Sequence, residues 1–229
     1  MGKLISVSSL DGGGKTTQCE LIQKYFENNN IKYVYIHFPT YDNEAGKIVA
    51  AYLRGEYGNI DQVDPVFVAN IYAMNRFLYL PKLQKQLEEV DVVLLDRYVF
   101  CNMAYQGAKY NTETQSNIIR DWINEFEFGF LELPYPDLNI FFDLPLSLIE
   151  KRLGKKRKGD DRKYLNGKTD IHETDIKFQE KVRENYLALK NYENFIMISC
   201  SREDEHETLE DSPEEIFKKY EEQLKHALI

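Results

Sequence analysis

The stretch LISVSSLDGGGKTTQCELI, running from Leu4 to Ile22, decides how the rest of the chain is read. Leu4–Val7 is a short apolar run of the kind that forms a buried strand. Gly12, Gly13 and Gly14 free the backbone to turn tightly, and Lys15-Thr16-Thr17 opens a helix whose apolar positions follow. A strand, a glycine turn and a helix in this order aim successive backbone N–H groups, a helix N-terminus and one lysine at a single spot. Such a spot suits a polyphosphate, with Lys15 for the β/γ oxygens and the Thr16 hydroxyl for Mg²⁺. The pattern G-x-x-x-x-G-K-[ST] calls for glycine where Ser9 stands. Serine there costs about 1–2 kcal/mol if the position needs a positive φ, and little if it only ends the strand. The alternative is a glycine turn between strand and helix with no ligand.

Outward from this turn, apolar strand-like runs alternate with amphipathic helical runs. The strands are Leu4–Val7, Tyr33–Phe38, Val92–Leu95, Leu138–Phe142 and Phe195–Ile198. Helices are expected near 15–28, 45–54, 65–89, 98–127 with a break near Lys109–Thr112, 146–153, 172–192 and 213–227. The alternation predicts βαβ units: an α/β fold of three α-β-α layers around a central five-stranded parallel sheet. One domain spanning 1–229 accounts for the whole pattern, with a C-terminal helix at about 212–227. Asp64-Pro65 reads as a helix start, a capping carboxylate followed by proline at the first helical position. Ser212-Pro213-Glu214-Glu215 does the same and adds the glutamate of a capping box. The one long polar stretch without apolar periodicity is Gly154–Thr169, between two helices, which reads as a mobile lid at about 154–170.

Composition narrows the function classes. With 43% hydrophobic and 29% charged residues in 229, the chain can bury a sizeable core. No apolar run approaches the roughly 20 residues of a membrane span, and no signal peptide is visible. Cys19, Cys101 and Cys200 are odd in number, widely spaced and unlike any zinc motif, which fits a reducing cytoplasm. A formal charge of −9 argues against nucleic-acid binding over a long basic surface. An anionic substrate must then be drawn by a local basic cluster, and Lys155–Lys158 is one.

In open α/β sheets, ligands sit beyond the carboxyl ends of the strands. Three such ends carry chemistry here: the glycine turn, His37-Phe38-Pro39-Thr40, and Asp96-Arg97-Tyr98. Beside a phosphate turn, Asp96 offers a carboxylate for Mg²⁺ and its waters, and Arg97 a guanidinium fork for phosphate. A purely structural ion pair is the other reading. Tyr72 and Arg76 share one face of the third helix and could stack on and donate to a planar base; equally, they could be a core tyrosine and a surface arginine. The run Lys155-Lys156-Arg157-Lys158-Gly159-Asp160-Asp161-Arg162 fits a cationic loop that closes over transferring phosphate. A solvated charge run or a nuclear-address motif would look the same in composition.

Taken in order, SLDGGGKTTQ, HFPTYDNEAGKIVAAYL, ANIYAMNRF, LLDRYVFCNMAYQG and a lid followed by KFQEKVRENYLAL resemble the thymidylate kinase family of P-loop nucleoside-monophosphate kinases. The resemblance runs from about Lys3 to Cys200. It implies a P-loop kinase fold and an ATP- and Mg²⁺-dependent phosphorylation of dTMP to dTDP, a step toward dTTP. It further implies that Gly12, Gly13, Gly14, Lys15, Thr16 and Thr17 cradle ATP phosphates, with Thr16 and Asp96 on Mg²⁺, the latter through water. Asp11 is implied at the sugar 3′-hydroxyl or a magnesium water, Phe38 and Pro39 along the nucleoside, Tyr72 stacked on thymine and Arg76 on its carbonyl. Arg97 is implied on the acceptor phosphate, Asn102, Tyr105 and Gln106 closing the pocket, and Arg157 and Arg162 as lid cations. Tyr105, crowding the 2′ position, is implied to favour deoxyribose. Ser9, Tyr41 in place of a common arginine, and Cys101 in place of a common serine depart from the family pattern. Relatives form homodimers, for which helices 65–89 and 98–127 are the candidate surface, although 13 Phe and 16 Tyr could equally fill the core. A kinase for another nucleotide or nucleoside, and a nucleotide-binding protein without turnover, are the remaining alternatives.

Overall fold

The five apolar runs form one parallel sheet in the computed structural model, which describes residues 1–153, 160–168, 170–172, 175–203 and 208–229. The strands are β1 (Lys3–Ser9), β2 (Tyr33–His37), β3 (Val92–Asp96), β4 (Leu138–Asp143) and β5 (Phe195–Ser199), in the order β2-β3-β1-β4-β5. Between them lie α1 (Lys15–Asn28), α2 (Glu44–Leu53), α3 (Pro65–Glu89), α4 (Val99–Gly107), α5 (Glu113–Asn124), α6 (Leu146–Leu153) and α7 (Ile176–Ala188). Strands buried on both faces read as continuous apolar runs rather than alternating ones, and every residue of Val92–Asp96 is buried. Adjacent residues of β4 show the two covering layers. Phe141 stacks on Tyr186 of α7, with ring centroids 4.2 Å apart, while Phe142 packs against Tyr220, 5.3 Å away. Successive side chains of a strand point to opposite faces, so helices cover both.

Register then brings the chemistry to one edge. Asp96 ends β3 opposite Val7 of β1 and opposite His37 of β2. The helix starts are capped as their residues predict. Asp64 accepts from the N–H groups of Val66 and Phe67, and Ser212 and Glu215 form a reciprocal capping box.

Three boundaries differ from expectation. The segment expected as one helix near 212–227 is two, α8 (Pro213–Lys218) and α9 (Glu221–Ala227). The interruption lets Tyr220 sink fully into the core, where its hydroxyl donates to Gln18 Oε1 at 2.9 Å. The expected helix near 172–192 begins later, because Asp175 caps it by accepting from Lys177 and Phe178 N–H. Between β5 and α8 the polar segment folds into a hairpin of β6 (Ser201–Glu203) and β7 (Thr208–Glu210). The break in the 98–127 helix is present, and the end of that region is a π turn over Glu125–Phe130. Within the expected lid, Asp160–Leu165 is a 3₁₀ turn; the Lys155–Lys158 cluster lies outside the described residues. The aromatic residues divide between two roles. Phe26, Phe38, Phe100, Phe141 and Phe142 are fully buried, whereas Phe67, Phe77 and Phe130 are exposed.

Candidate active site

The glycine turn closes with positive φ at Gly12 and Gly14, both 84°, a conformation that favours residues without a Cβ. Gly13 is needed for space: a Cβ there would stand 2.9 Å from the Cβ and Oγ of Ser9. Ser9 itself is the last residue of β1 and is absent from the positive-φ residues, so it ends the strand without strain. Its hydroxyl donates to the Leu10 carbonyl at 2.7 Å. α1 starts directly at Lys15, leaving the first-turn N–H groups facing the turn.

Lys15 and Asp96 form a buried pair, both under a tenth exposed. Asp96 also accepts from the Tyr35 hydroxyl at 2.8 Å and has His37 Nδ1 at 3.3 Å. Burial alone would raise the Asp96 carboxyl's pKa; the Lys15 ammonium and His37 outweigh it and hold the pKa far below the usual carboxylate range. This is a carboxylate kept charged at the end of β3, beside the phosphate turn.

Arg97 follows in the left-handed region, φ 65°, a conformation uncommon for a branched polar chain. Its backbone N–H bonds Val7 O at 2.9 Å, which ties the corner to β1. Its guanidinium pairs with Asp11 and donates to Cys101 Sγ at 3.2 Å. Asp11 also accepts from the Tyr105 hydroxyl at 2.9 Å and from Gln179 Nε2 at 3.3 Å. Burial would raise the Asp11 pKa, but the Arg97 guanidinium, the Tyr105 hydroxyl and the Lys15 ammonium together lower it.

The third wall is built on α3 and α4. Arg76 is not a surface arginine: it is buried, and Nε and Nη2 each donate to Glu127 at 2.6 Å. Asn102 Nδ2 donates to Glu127 Oε1 at 2.8 Å and to Ala69 O at 3.1 Å. Asn75, one residue before Arg76, holds the Phe38-Pro39-Thr40 loop by accepting from Thr40 N–H at 3.0 Å and donating to Thr40 O at 2.7 Å. The Phe38–Pro39 peptide bond is cis.

The far side is closed by Tyr41, noted above as a departure from the family pattern, and by residues that carried no sequence signal. Tyr41 stacks on Tyr164, centroids 4.5 Å apart, and the Tyr164 hydroxyl donates to Asp170 at 2.8 Å. His172 sits 2.9 Å from the Tyr52 hydroxyl, and burial pushes its pKa down to about 3, so the ring is neutral. Arg152 of α6 donates to Gly12 O at 2.7 Å and pairs with Glu210 of the hairpin.

These walls enclose one cavity of about 940 Å³. Asp11–Thr17, Phe38, Pro39, Tyr72, Arg76, Asp96, Arg97, Asn102, Tyr105 and Gln106 all line it. Of the expected site residues, only Arg157 and the Arg162 side chain lie outside the described residues. Glu127, Gln179, His172 and Arg152 are additions. Glu127 falls in the aromatic run EFEFGF, where nothing in spacing marks it; Gln179 falls in KFQEKVRENYL, a segment that carries the family resemblance without a role for that residue.

Residues 9–211 match the family model for thymidylate kinase. The chain is 30% identical over 210 residues to "Probable thymidylate kinase 1" of Saccharolobus solfataricus, covering 92% of this chain and 94% of that protein. Its fold is similar to the solved structure of thymidylate kinase from Candida albicans, with a TM-score of 0.71 at 22% identity over 98% of this chain and 93% of the other. With the phosphate turn, the Asp96-Arg97 corner and the α3 wall all inside the matched segment, the chain belongs to the thymidylate kinase family, ATP-dependent phosphotransferases acting on dTMP.

Proposed function

We propose that this chain transfers the terminal phosphoryl group of ATP to dTMP, giving ADP and dTDP, at the cavity just described. The observation that carries this reading is continuity. One cavity runs from a phosphate-binding turn, past an arginine and two carboxylates, to an aromatic wall with fixed hydrogen-bonding groups. A donor and an acceptor nucleotide placed at its two ends would meet near Arg97 and Lys15. The dTMP phosphate oxygen attacks the γ-phosphorus, the bond to the β–γ bridging oxygen breaks, and ADP leaves. The nucleophile is already an anion, so positioning and charge neutralisation carry the acceleration.

In this reading Gly12–Thr17 hold the ATP phosphates and Lys15 neutralises the transferring group. Arg97, already braced by Asp11, holds the acceptor phosphate. Tyr72 stacks on the base, and Phe38 and Pro39 line the nucleoside. Arg157 and Arg162 supply lid charge. Tyr41, in place of the arginine that the resemblance implies is common there, contributes no charge, so acceptor binding leans on Arg97.

The residues present fit Mg²⁺. Among the described residues no three His, Cys, Asp or Glu side chains converge on one point. Thr16 and Asp96 are oxygen donors of the kind Mg²⁺ takes and both line the cavity; they are the residues that would hold it, Asp96, already engaged by Lys15 and Tyr35, through water. The ion would supply charge neutralisation at the phosphates.

The same reading makes the protein a homodimer. Val66, Phe67, Met74, Phe77 and Leu78 lie on α3 as exposed apolar side chains, an unusual concentration for a lone surface helix. It also puts the enzyme in a reducing cytoplasm, supported by three unpaired cysteines. No described helix is long and apolar enough to cross a membrane.

A coupled ADP-release assay across nucleoside monophosphates and nucleosides tests the proposal. Turnover with dTMP well above dCMP, dGMP and thymidine is the expected result. ATP binding without dTMP-dependent ADP release, or equal use of dCMP, would overturn it.

A further inference from the structure

We infer that Glu127, a residue too deeply buried to touch substrate, fixes the donor that the base pocket turns toward its substrate. This rests on the proposed dTMP site and concerns how that site selects its base.

Glu127 is fully buried on the π turn after α5, and its two carboxylate oxygens carry three hydrogen bonds. Two come from Arg76, through Nε and Nη2, at 2.6 Å each. A guanidinium gripped along one edge by a bidentate carboxylate cannot rotate, so its remaining N–H groups are held in one plane. The cavity therefore meets Arg76 as a fixed donor.

The third bond sets the polarity of its neighbours. Asn102 has one side-chain end within reach of two groups that only accept, Glu127 Oε1 at 2.8 Å and Ala69 O at 3.1 Å. That end must be the NH₂, which turns Asn102 Oδ1 the other way. Gln106 meets this oxygen with its own amide nitrogen, Nε2 at 3.3 Å. The Gln106 oxygen is consequently left pointing elsewhere. It is buried, and no described residue donates to it.

The wall thus presents a fixed donor at Arg76, held by one carboxylate, while Gln106 is as fully buried as Glu127 and stands behind it. Thymine and uracil offer the complement, a C4 carbonyl. Cytosine offers an amine there and would oppose donor to donor. Glu127 is a positioning residue: it acts through Arg76.

The test compares Glu127→Gln with Glu127→Asp. Both Glu127 oxygens accept from Arg76, so in either orientation the carboxamide of Glu127→Gln sets its NH₂ against one Arg76 N–H and releases the guanidinium from its fixed plane. The expected result is a fall of about 100-fold in kcat/KM for dTMP, carried mainly by KM. The preference for dTMP over dCMP should collapse by at least about tenfold, while the KM for ATP moves less than about twofold. Glu127→Asp keeps an acceptor-only group and should weaken dTMP binding while retaining the dTMP:dCMP preference. Equal change of that preference in both variants, or an unchanged preference in a folded Glu127→Gln protein, would overturn the inference. If Glu127→Gln does not fold, Arg76→Lys decides, because an ammonium keeps the charge and loses the fork that Glu127 grips. A fall of at least about tenfold in the dTMP:dCMP preference is expected, and an unchanged preference overturns the inference. A wild-type enzyme inactive on dTMP would instead sink the functional reading itself, a result distinguishable from any of these.

Discussion

Replacing Lys15 with methionine should damage activity and stability by separate routes, and pH tells them apart. Lys15 is 8% exposed and its ammonium pairs with Asp96, itself 2% exposed. Removing one partner of a buried ion pair costs about 3–5 kcal/mol. Tyr35 stays at 2.8 Å and His37 at 3.3 Å, so the low end applies, about 3 kcal/mol. For a chain of this size each kcal/mol is worth about 2–4 °C, a melting-temperature loss of about 6–12 °C. The sign with pH follows from linkage. In the wild type Asp96 titrates below its usual 3.8, so its contribution is complete above that value and is lost only as pH falls toward the depressed value. In Lys15→Met, burial acts without the opposing ammonium, so the same carboxyl titrates higher than in the wild type. The gap to wild type should therefore be narrowest in acid and widen as pH rises through the variant's higher value. Turnover, through loss of a fixed cation at the transferring phosphate, should fall by about 10²–10³ at temperatures where both proteins are folded. Differential scanning calorimetry across pH, beside the ADP-release assay, checks both. A gap that does not change with pH, or turnover within tenfold of wild type, would refute the reasoning.

Other expectations follow from single contacts. Gly13→Ala should weaken ATP binding, because its Cβ would meet Ser9 at 2.9 Å, and adding Ser9→Gly should recover part of the loss in a nucleotide titration. Tyr105→Phe removes a 2.9 Å bond to Asp11, and the ratio of kcat/KM for dTMP over the ribonucleotide should fall severalfold in paired assays. Tyr220→Phe removes a buried 2.9 Å bond to Gln18 and should cost about 1–2 kcal/mol in denaturant melts with turnover unchanged. Phe77→Glu places a charge on the exposed apolar face of α3 and should shift sedimentation toward the monomer without altering the melting temperature of the monomer.

Local chemistry explains why so much was readable before any coordinates. Leu4–Val7, Val92–Leu95 and their partners are continuous apolar runs because parallel strands are covered on both faces, and that pattern survives in a bare sequence. The turn from Gly12 to Thr17 is legible for the same reason: its glycines, lysine and threonine act through neighbours in sequence. Asp64 and Ser212 announce helix starts because a cap satisfies N–H groups two or three residues on.

What lay beyond reach were groups brought together across the chain. Glu127 meets Arg76 from 51 positions away, Gln179 meets Asp11 from 168, and Arg152 meets Gly12 from 140. Each of these side chains looks, along the sequence, like any other polar residue on a helix. The Tyr220 break has the same origin, since only the presence of Gln18 and Phe142 rewards sinking that ring into the core. By itself, then, the amino-acid order determined the α/β architecture and the phosphate turn, both properties of short-range periodicity and spacing, and it carried the motifs by which the chain resembles its family. The tertiary structure alone decided that Arg76 is clamped rather than exposed and that Asp96 is kept charged under burial. Those states depend on desolvation and on distant partners, and neither quantity exists until the chain has folded.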